Sequence, residues 1–216
     1  MSSRDAVLSR IRTALAKDPQ RPLPPIPEVW PRENPAVDAM AARFQQELED
    51  VHGEVIRCAT ADQARTKLAA LAAQESWEKI GVLDRPLCRD VTGGLEPGRV
   101  SLAQLDWTAP TMAGLSASVI DADYLLADTG TAMVACGQAV ERLMCYLPPA
   151  CVVVATTDRL VEHLQAAWAP IASRVADPQL RGEFVFITGP SRTADIEKIL
   201  ILGVHGPKRL IVLLIG

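Results

Sequence analysis

The sequence has no apolar run long enough to cross a bilayer, and its longest runs, such as residues 211–215, fall far short of that length. Residues 1–17 mix charged and apolar side chains without a continuous apolar core, unlike a secretory signal. Lysine and arginine form no dense block, and the formal net charge is −4, so nothing indicates nucleic-acid binding. These absences predict a cytoplasmic protein with no membrane and no nucleic-acid partner.

Cysteine is scarce and scattered, which bears on metal and cofactor binding. The sequence has no C-x-x-C pair, so it predicts neither a zinc ribbon nor a ferredoxin-type cluster. We therefore expect structural thiols, no bound metal and no cofactor. The five cysteines are Cys58, Cys88, Cys136, Cys145 and Cys151.

Aromatic residues are also few, at 4%, whereas 49% of the 216 residues are hydrophobic, a balance typical of a packed α/β protein. Apolar runs that indicate strands, such as residues 151–155 and 210–215, alternate with helical patterns. That order predicts an α/β fold with an open, mostly parallel sheet covered by helices.

The chain is expected to divide into residues 1–33 and residues 34–216. Residues 2–17 predict an amphipathic helix with one apolar stripe, and the proline-rich residues 19–31 should run extended. This segment is either a strap or spacer, or an arm that docks a partner. Asn34 and Pro35 have the pattern of an N-cap followed by proline at the first helical position, so the α/β domain should begin there.

A first candidate site follows the apolar strand predicted for residues 184–188. Gly189 and Pro190 make a turn, and a helix is predicted from Thr193 to residue 202. Ser191 and Thr193 can cap that helix or bind a ligand oxygen, and Asp195 would be stabilised by its dipole. Pure capping and ligand binding both remain open.

A second candidate is the turn formed by Asp128, Thr129, Gly130 and Thr131, between two predicted strands. A carboxylate on such a turn can orient a substrate or act as a base. The alternative is a hairpin turn in which Asp128 bonds to nearby amides.

The third candidate is His205, in a short loop before the last strand. Loops from helix to strand lie at the amino ends of strands, away from the usual ligand pocket. That placement favours a structural His205 over a catalytic or proton-relay role.

The fourth candidate is Arg142, which follows the strand predicted for residues 132–136. Its guanidinium could clamp a carboxylate in two-pronged fashion. Equally, it could form a structural ion pair with Asp128 or Asp195.

The four candidate motifs lie in sequence runs that, in their order and spacing, resemble the LUD (lactate-utilisation) domain family, the family that includes lactate-utilisation protein C. The resemblance covers residues 34–216 and is strongest after Tyr124. Two departures stand out: Asp128 replaces the family's usual glutamate, and Cys145 and Tyr146 stand where a serine is usual. The four runs are residues 127–131, 142–148, 189–197 and 203–207.

The resemblance implies a fold like that of sugar-phosphate isomerases and coenzyme A transferases. It also implies a non-redox subunit that works with iron–sulfur partner proteins in oxidising L-lactate to pyruvate. We expect the turns at Asp128 and Gly189 to share one rim of the sheet and to bind a small carboxylate. The alternative is a stand-alone enzyme or sensor that acts on a phosphorylated or acyl metabolite.

Overall fold

The computed structural model describes residues 3–17, 30, 32–175, 183–194, 200–202 and 206–216. In these residues the helices are α1 (Ser3–Lys17), α2 (Val37–Asp50), α3 (Ala61–Gln74), α4 (Pro86–Thr92), α5 (Ala109–Ala113), α6 (Ala139–Tyr146) and α7 (Leu164–Val175). The strands are β1 (Glu54–Cys58), β2 (Ile80–Val82), β3 (Val100–Leu102), β4 (Ala117–Asp121), β5 (Tyr124–Leu126), β6 (Thr131–Ala135), β7 (Ala150–Thr156), β8 (Leu160–Val161), β9 (Phe184–Ile187), β10 (Arg192–Ala194), β11 (Leu200–Leu202) and β12 (Arg209–Ile215).

A six-stranded sheet in the order β1-β12-β7-β4-β2-β3 forms the centre of the fold, and all its pairings are parallel. Its central strands are continuous apolar runs because both faces of the sheet are buried. Helices α2, α3, α4 and α6 pack against it. The predicted α/β class, with an open and mostly parallel sheet covered by helices, is confirmed.

A second, four-stranded sheet has the order β8-β5-β6-β9, with β6 antiparallel to both β5 and β9. Helix α7 covers one face, since Ala167 and Ile171 pack on Leu126 and Met133. The sequence pattern did not separate this sheet from the first. The mostly apolar run before the Asp128 turn forms two strands, β4 in the large sheet and β5 in the small one.

The helix predicted from Thr193 to residue 202 is wrong over the residues that the structure describes. Thr193 lies in β10, which pairs antiparallel with β11. A short apolar run such as residues 199–202 cannot be assigned to helix or strand from periodicity alone, and here the hairpin is formed.

Several element ends also differ from prediction. Helix α2 begins at Val37 with Ala36 as its N-cap, so Asn34, which has φ 49°, and Pro35 precede the helix and do not form its predicted start. The helix ends at Asp50, and His52 just after it takes the left-handed conformation at φ 68°. His163 is buried and caps the start of α7, since its Nδ1 accepts the Ala166 N–H at 3.1 Å.

The chain divides into two compact units, Met1–Pro31 and Arg32–Gly216. In the first, α1 exposes its apolar residues Val7, Ile11 and Leu15. The expected proline-rich extended segment lies outside the described residues, apart from Trp30. Among the described helices none is both long and apolar enough to cross a membrane.

A charge cluster around Arg85 joins the two sheets. The Arg85 guanidinium lies 3.1 Å from Asp121 at the end of β4, 3.5 Å from Asp123 and 3.2 Å from Glu141 of α6. It also donates to the Ala135 carbonyl of β6 at 2.7 Å, and Asp123 accepts the Ala135 N–H at 2.7 Å. One side chain thus fixes the point where the chain passes from the large sheet to the small one.

Replacing Arg85 should therefore test how the sheets are held together. Arg85→Met leaves three largely buried carboxylates without their cation, so we expect the free energy of unfolding to fall by about 3–5 kcal/mol. Urea unfolding followed by circular dichroism measures it. The matched control is Arg89→Met in α4, the helix that begins directly after Arg85. Arg89 pairs with Asp84 but is 57% exposed, so its effect should stay below about 1 kcal/mol. Equal losses in both variants would refute the role given to Arg85.

Candidate functional site

Three threonine hydroxyls form a hydrogen-bonded row at one end of the small sheet. Thr131 Oγ1 lies 2.8 Å from Thr129 Oγ1 and 2.7 Å from Thr188 Oγ1. The row follows from strand pairing, because β6 pairs with β9 from Ala132 opposite Ile187, which places Thr131 beside Thr188. Thr131 is buried, whereas Thr129 and Thr188 are exposed at the ends of the row. The first and second candidate motifs therefore meet here.

Two glycines in these motifs pack against the end of α2. A Cβ on Gly130, which has φ 60°, would lie 2.4 Å from the Leu48 nitrogen and 2.8 Å from the Glu47 carbonyl carbon. A Cβ on Gly189 would lie 2.9 Å from the Val51 carbonyl oxygen. Both turns accordingly need glycine for close backbone packing. The close packing of Gly130 and Gly189 thus holds the neighbouring residues Thr129, Thr131 and Thr188 in position.

Asp128 lies in the hairpin turn between β5 and β6, as the structural interpretation of this motif required. Its backbone N–H donates to the Glu162 carbonyl at 3.1 Å. The predicted bonds from its carboxylate to nearby amides are not seen for Oδ1, which is buried without a hydrogen-bond partner among the described residues. A buried acceptor in that condition can receive a proton donor from a ligand.

The third motif reaches the first through Ser191. The Ser191 N–H donates to the Pro207 carbonyl at 2.8 Å, and a Cβ on Gly206 would lie 2.9 Å from Ser191 Cβ. The loop before β12 and the turn after β9 are thus in direct contact. Lys208, whose side chain is exposed, follows Pro207 and anchors this loop by donating its N–H to the Pro149 carbonyl at 2.8 Å.

Arg142 is not brought to this cluster. Its guanidinium pairs with Glu183, which precedes β9, whereas Thr188 follows the same strand at its other end. The partner is Glu183 and not Asp128, so the ion-pair interpretation fits with a different carboxylate. A carboxylate clamp by Arg142 would require it to leave Glu183.

Two predicted site residues, Asp195 and His205, lie outside the described residues. Thr193 is described only as part of β10, so the helix dipole invoked for anion binding has no counterpart at its position. The expectation that both turns share one rim holds for the small sheet, because β5 and β9 end on the same side. In the large parallel sheet this cluster lies at the amino edge and not at the carboxyl edge, because the loop of Gly206 that contacts Ser191 precedes β12.

A polar cluster that sequence reasoning missed lies at the opposite, carboxyl edge of the large sheet. From β2 the chain moves outward to β3, whereas from β4 it moves the other way to β7. Arg85 and Asp121 follow these two neighbouring strands, at the switch point where open α/β sheets bind ligands. The signal was present in charged residues directly after two apolar strands, at Asp84-Arg85 and at Asp121.

Burial and charge shift the pKa values of this cluster in ways that reflect its one cation and three carboxylates. Burial raises the pKa of Asp121, Arg85 lowers it and Asp123 raises it, with a net increase above its ordinary value. Burial alone would lower the pKa of Arg85, but Asp121, Asp123 and Glu141 together raise it. The cation is therefore permanently charged, and ionising Asp121 costs free energy.

The cysteines fit the expected structural role. All five are buried and free of disulfides. Burial raises the pKa of Cys151 to about 12, and burial also raises the pKa of Cys88, so neither is a ready nucleophile. Within the part of the chain that the structure describes, no group of three or more cysteine, histidine or acidic side chains could hold a metal ion.

The fold and its motif loops define an α/β protein in which loops from distant parts of the chain build one polar cluster. The chain belongs to the LUD domain family, whose sequence pattern matches residues 41–215.

Curated relatives carry the name lactate utilization protein C. The protein of that name from Bacillus pumilus (strain SAFR-032) is 37% identical over 99 residues, which is 45% of this chain and 41% of that protein. The one from Geobacillus sp. (strain WCH70) is 34% identical over 88 residues, 40% of this chain and 36% of that protein. The matched segment thus spans about two-fifths of these relatives' length.

A solved structure, that of a DUF162 family protein from Deinococcus radiodurans, is similar in fold. It superposes with a TM-score of 0.63 over 84% of this chain and 99% of that chain, at 15% sequence identity. Similarity at this level of identity concerns the fold alone.

Gly130→Ala should test whether the polar row depends on its packing against α2. The added methyl meets backbone atoms that cannot move aside, and φ 60° strains alanine, so we expect a loss of about 2 kcal/mol or more in unfolding free energy. The control is Gly98→Ala, because a Cβ there has no atom within 4 Å; it should change stability by no more than about 0.5 kcal/mol. Thermal or urea unfolding gives both values, and a neutral Gly130→Ala would contradict the packing.

Asp121 makes stability depend on pH in a defined direction. Its folded-state pKa lies above the ordinary value of 3.8, so the protonated carboxyl favours the folded state, and that contribution is lost as pH rises from 3.8 through the raised pKa. Asp121→Asn removes this loss. As pH rises through that window, the unfolding free energy of the wild type should therefore fall relative to that of Asp121→Asn.

Urea unfolding between pH 4 and 7 measures this difference. Asp158→Asn serves as the control, since the Asp158 side chain is 76% exposed and its variant should follow the wild-type pH curve. Parallel curves for wild type and Asp121→Asn would show that the Asp121 pKa is not raised.

Proposed function

We propose that this chain is the non-redox subunit of a cytoplasmic system that oxidises L-lactate to pyruvate, acting with iron–sulfur partner proteins. Its place in lactate utilisation is supported by family membership and by relatives named lactate utilization protein C. A non-redox role agrees with the buried, dispersed thiols of the described residues, since the redox centres would be carried by the partners.

We further propose that the subunit binds a small carboxylate at the polar cluster of Thr129, Thr131, Thr188 and Ser191. The observation that carries this is the direct contact of the turn after β9 with both the threonine row and the loop of Gly206 and Pro207. Three sequence motifs that are far apart in the chain converge there. Asp195 and His205, which adjoin these contacts in sequence, belong to the proposed site.

The hydroxyl row has the right hydrogen-bonding capacity for a 2-hydroxy or 2-oxo acid. Three hydroxyls offer three protons, and the two bonds between them use two, so one proton can be donated outward. Thr129 and Thr188, at the ends of the row, are exposed to solvent. Arg142 is paired with Glu183, so we assign the positive charge of the site to Lys208, which follows Pro207 in the loop that contacts Ser191.

The site also explains why binding to the isolated chain should be weak. The buried Asp128 Oδ1 repels a carboxylate, although it can accept a hydrogen bond from the hydroxyl of lactate. Lys208 is exposed, so its attraction for an anion is reduced by solvent. Closure by a partner protein would remove that solvent and strengthen binding.

Calorimetric titration with lactate, pyruvate and phosphate, with and without the partner proteins, tests this function. Ser191→Ala removes a hydroxyl at the junction and should weaken lactate binding by about 1 kcal/mol, roughly fivefold. Ser101→Ala is the matched control, because Ser101 lies exposed on the edge strand β3 and should bind as wild type does.

The other outcomes separate the alternatives. Binding of phosphate in preference to lactate would favour a stand-alone enzyme or sensor for phosphorylated metabolites. If no anion binds even with the partners present, the carboxylate site is refuted and the chain acts as a scaffold.

A further inference from the structure

Helix α1 carries a continuous apolar stripe that faces solvent. Val7, Ile11 and Leu15 recur every fourth residue and so lie on one side of the helix. Their side chains are 52%, 49% and 67% exposed, respectively. Leu8 beside them is half-buried. Three large aliphatic side chains in one row on a surface helix are the usual sign of a contact site.

Positive charge borders this stripe. Arg10 and Arg12 immediately precede and follow Ile11, so each lies about 100° from it, one on either side of the stripe. Arg4 extends the positive border at the start of the helix, and all three arginines are exposed. Asp5 is the single acidic residue of α1. The opposite face carries the small polar residues Ser9 and Thr13.

We propose that α1 docks with its apolar stripe in a groove on a partner protein, and that carboxylates rim this groove. The pattern of the stripe fits a helix laid into an apolar groove, read at i, i+4 and i+8. The flanking arginines fix the charge of the rim, since like charges would repel. The proline-rich sequence after α1 suits this role because such sequences act as semi-rigid spacers.

This inference rests on the proposed function, which supplies the partner: one of the iron–sulfur proteins of the lactate-oxidising system. The groove on that protein would take α1, while the α/β part of this chain stays available for its carboxylate. In residues 32–216 acidic side chains outnumber basic ones, whereas the reverse holds in α1. The helix therefore provides the positive surface for an acidic partner.

The test uses the whole chain of 216 residues and purified iron–sulfur proteins of the proposed lactate-oxidising system, with affinity measured by surface plasmon resonance. Ile11→Gln/Leu15→Gln removes the stripe but keeps good helix formers, so binding should weaken roughly tenfold or more. Arg10→Glu/Arg12→Glu should also weaken binding and should reduce its dependence on salt. Ser9→Ala/Thr13→Ala on the opposite face is the control, and it should bind within about twofold of wild type.

Each other outcome has a definite meaning. If the wild-type chain binds no iron–sulfur protein, the partner assignment in the proposed function fails. If the wild-type chain binds and Ile11→Gln/Leu15→Gln binds equally well, only the docking role of α1 is refuted, and the proposed function stands. If Ile11→Gln/Leu15→Gln keeps its affinity for the partner but no longer binds phosphatidylserine vesicles, the stripe contacts a membrane surface instead. If this variant keeps that affinity but loses self-association in sedimentation, the stripe contacts a second copy of the chain.

Discussion

The ion cluster at Arg85 is the constraint on which the two-sheet arrangement depends. The chain leaves the parallel sheet at Asp121 and enters the small sheet at Tyr124, and Arg85 contacts the residues on both sides of that step. Glu141 adds α6 to the same cluster, while its other oxygen accepts the N–H groups of Gly137 and Gln138. One guanidinium holds groups from both sheets within 3.5 Å, and its loss would leave largely buried carboxylates unpaired, so the cluster constrains how the two sheets lie against each other.

The polar cluster of Thr131, Thr188 and Ser191, at the opposite edge of the large sheet, depends on this arrangement of the two sheets. Because the small sheet is fixed against the large one, its strand ends bring Gly130 and Gly189 onto the end of α2 and place Ser191 against the loop before β12. The two glycines that permit this approach carry no chemistry themselves. Their role is to let two backbones come close enough for side chains from separate motifs to meet.

The parallel sheet could be predicted from sequence because its strands, such as residues 151–155 and 210–215, are apolar on both faces. Such runs fit buried strands of a parallel sheet. The small sheet could not be separated from it, because Asp121 and Asp123 interrupt an apolar run without any glycine or proline to mark a break. Arg142 shows the limit for side chains: its position after a strand was visible, but whether it faces Glu183, Asp128 or a ligand depends on the register of strands that are distant in sequence. The motif residues were found because they recur together in a family, not because their spacing reveals chemistry.

The position of β12 between β1 and β7 has a consequence for how the chain acquires its structure. Among the described strands, β1 pairs only with β12, and Arg209 of β12 adds ion pairs with Glu54 of β1 and with Glu75 at the end of α3. In a nascent chain, the backbone N–H and C=O groups of β1 that bond to β12 stay unpaired until residues 209–215 have been made. Contacts this distant in sequence make folding slow, and an unpaired strand edge invites association with other chains. Until residues 209–215 are available, β1 is therefore a defined unpaired segment of the kind that molecular chaperones bind.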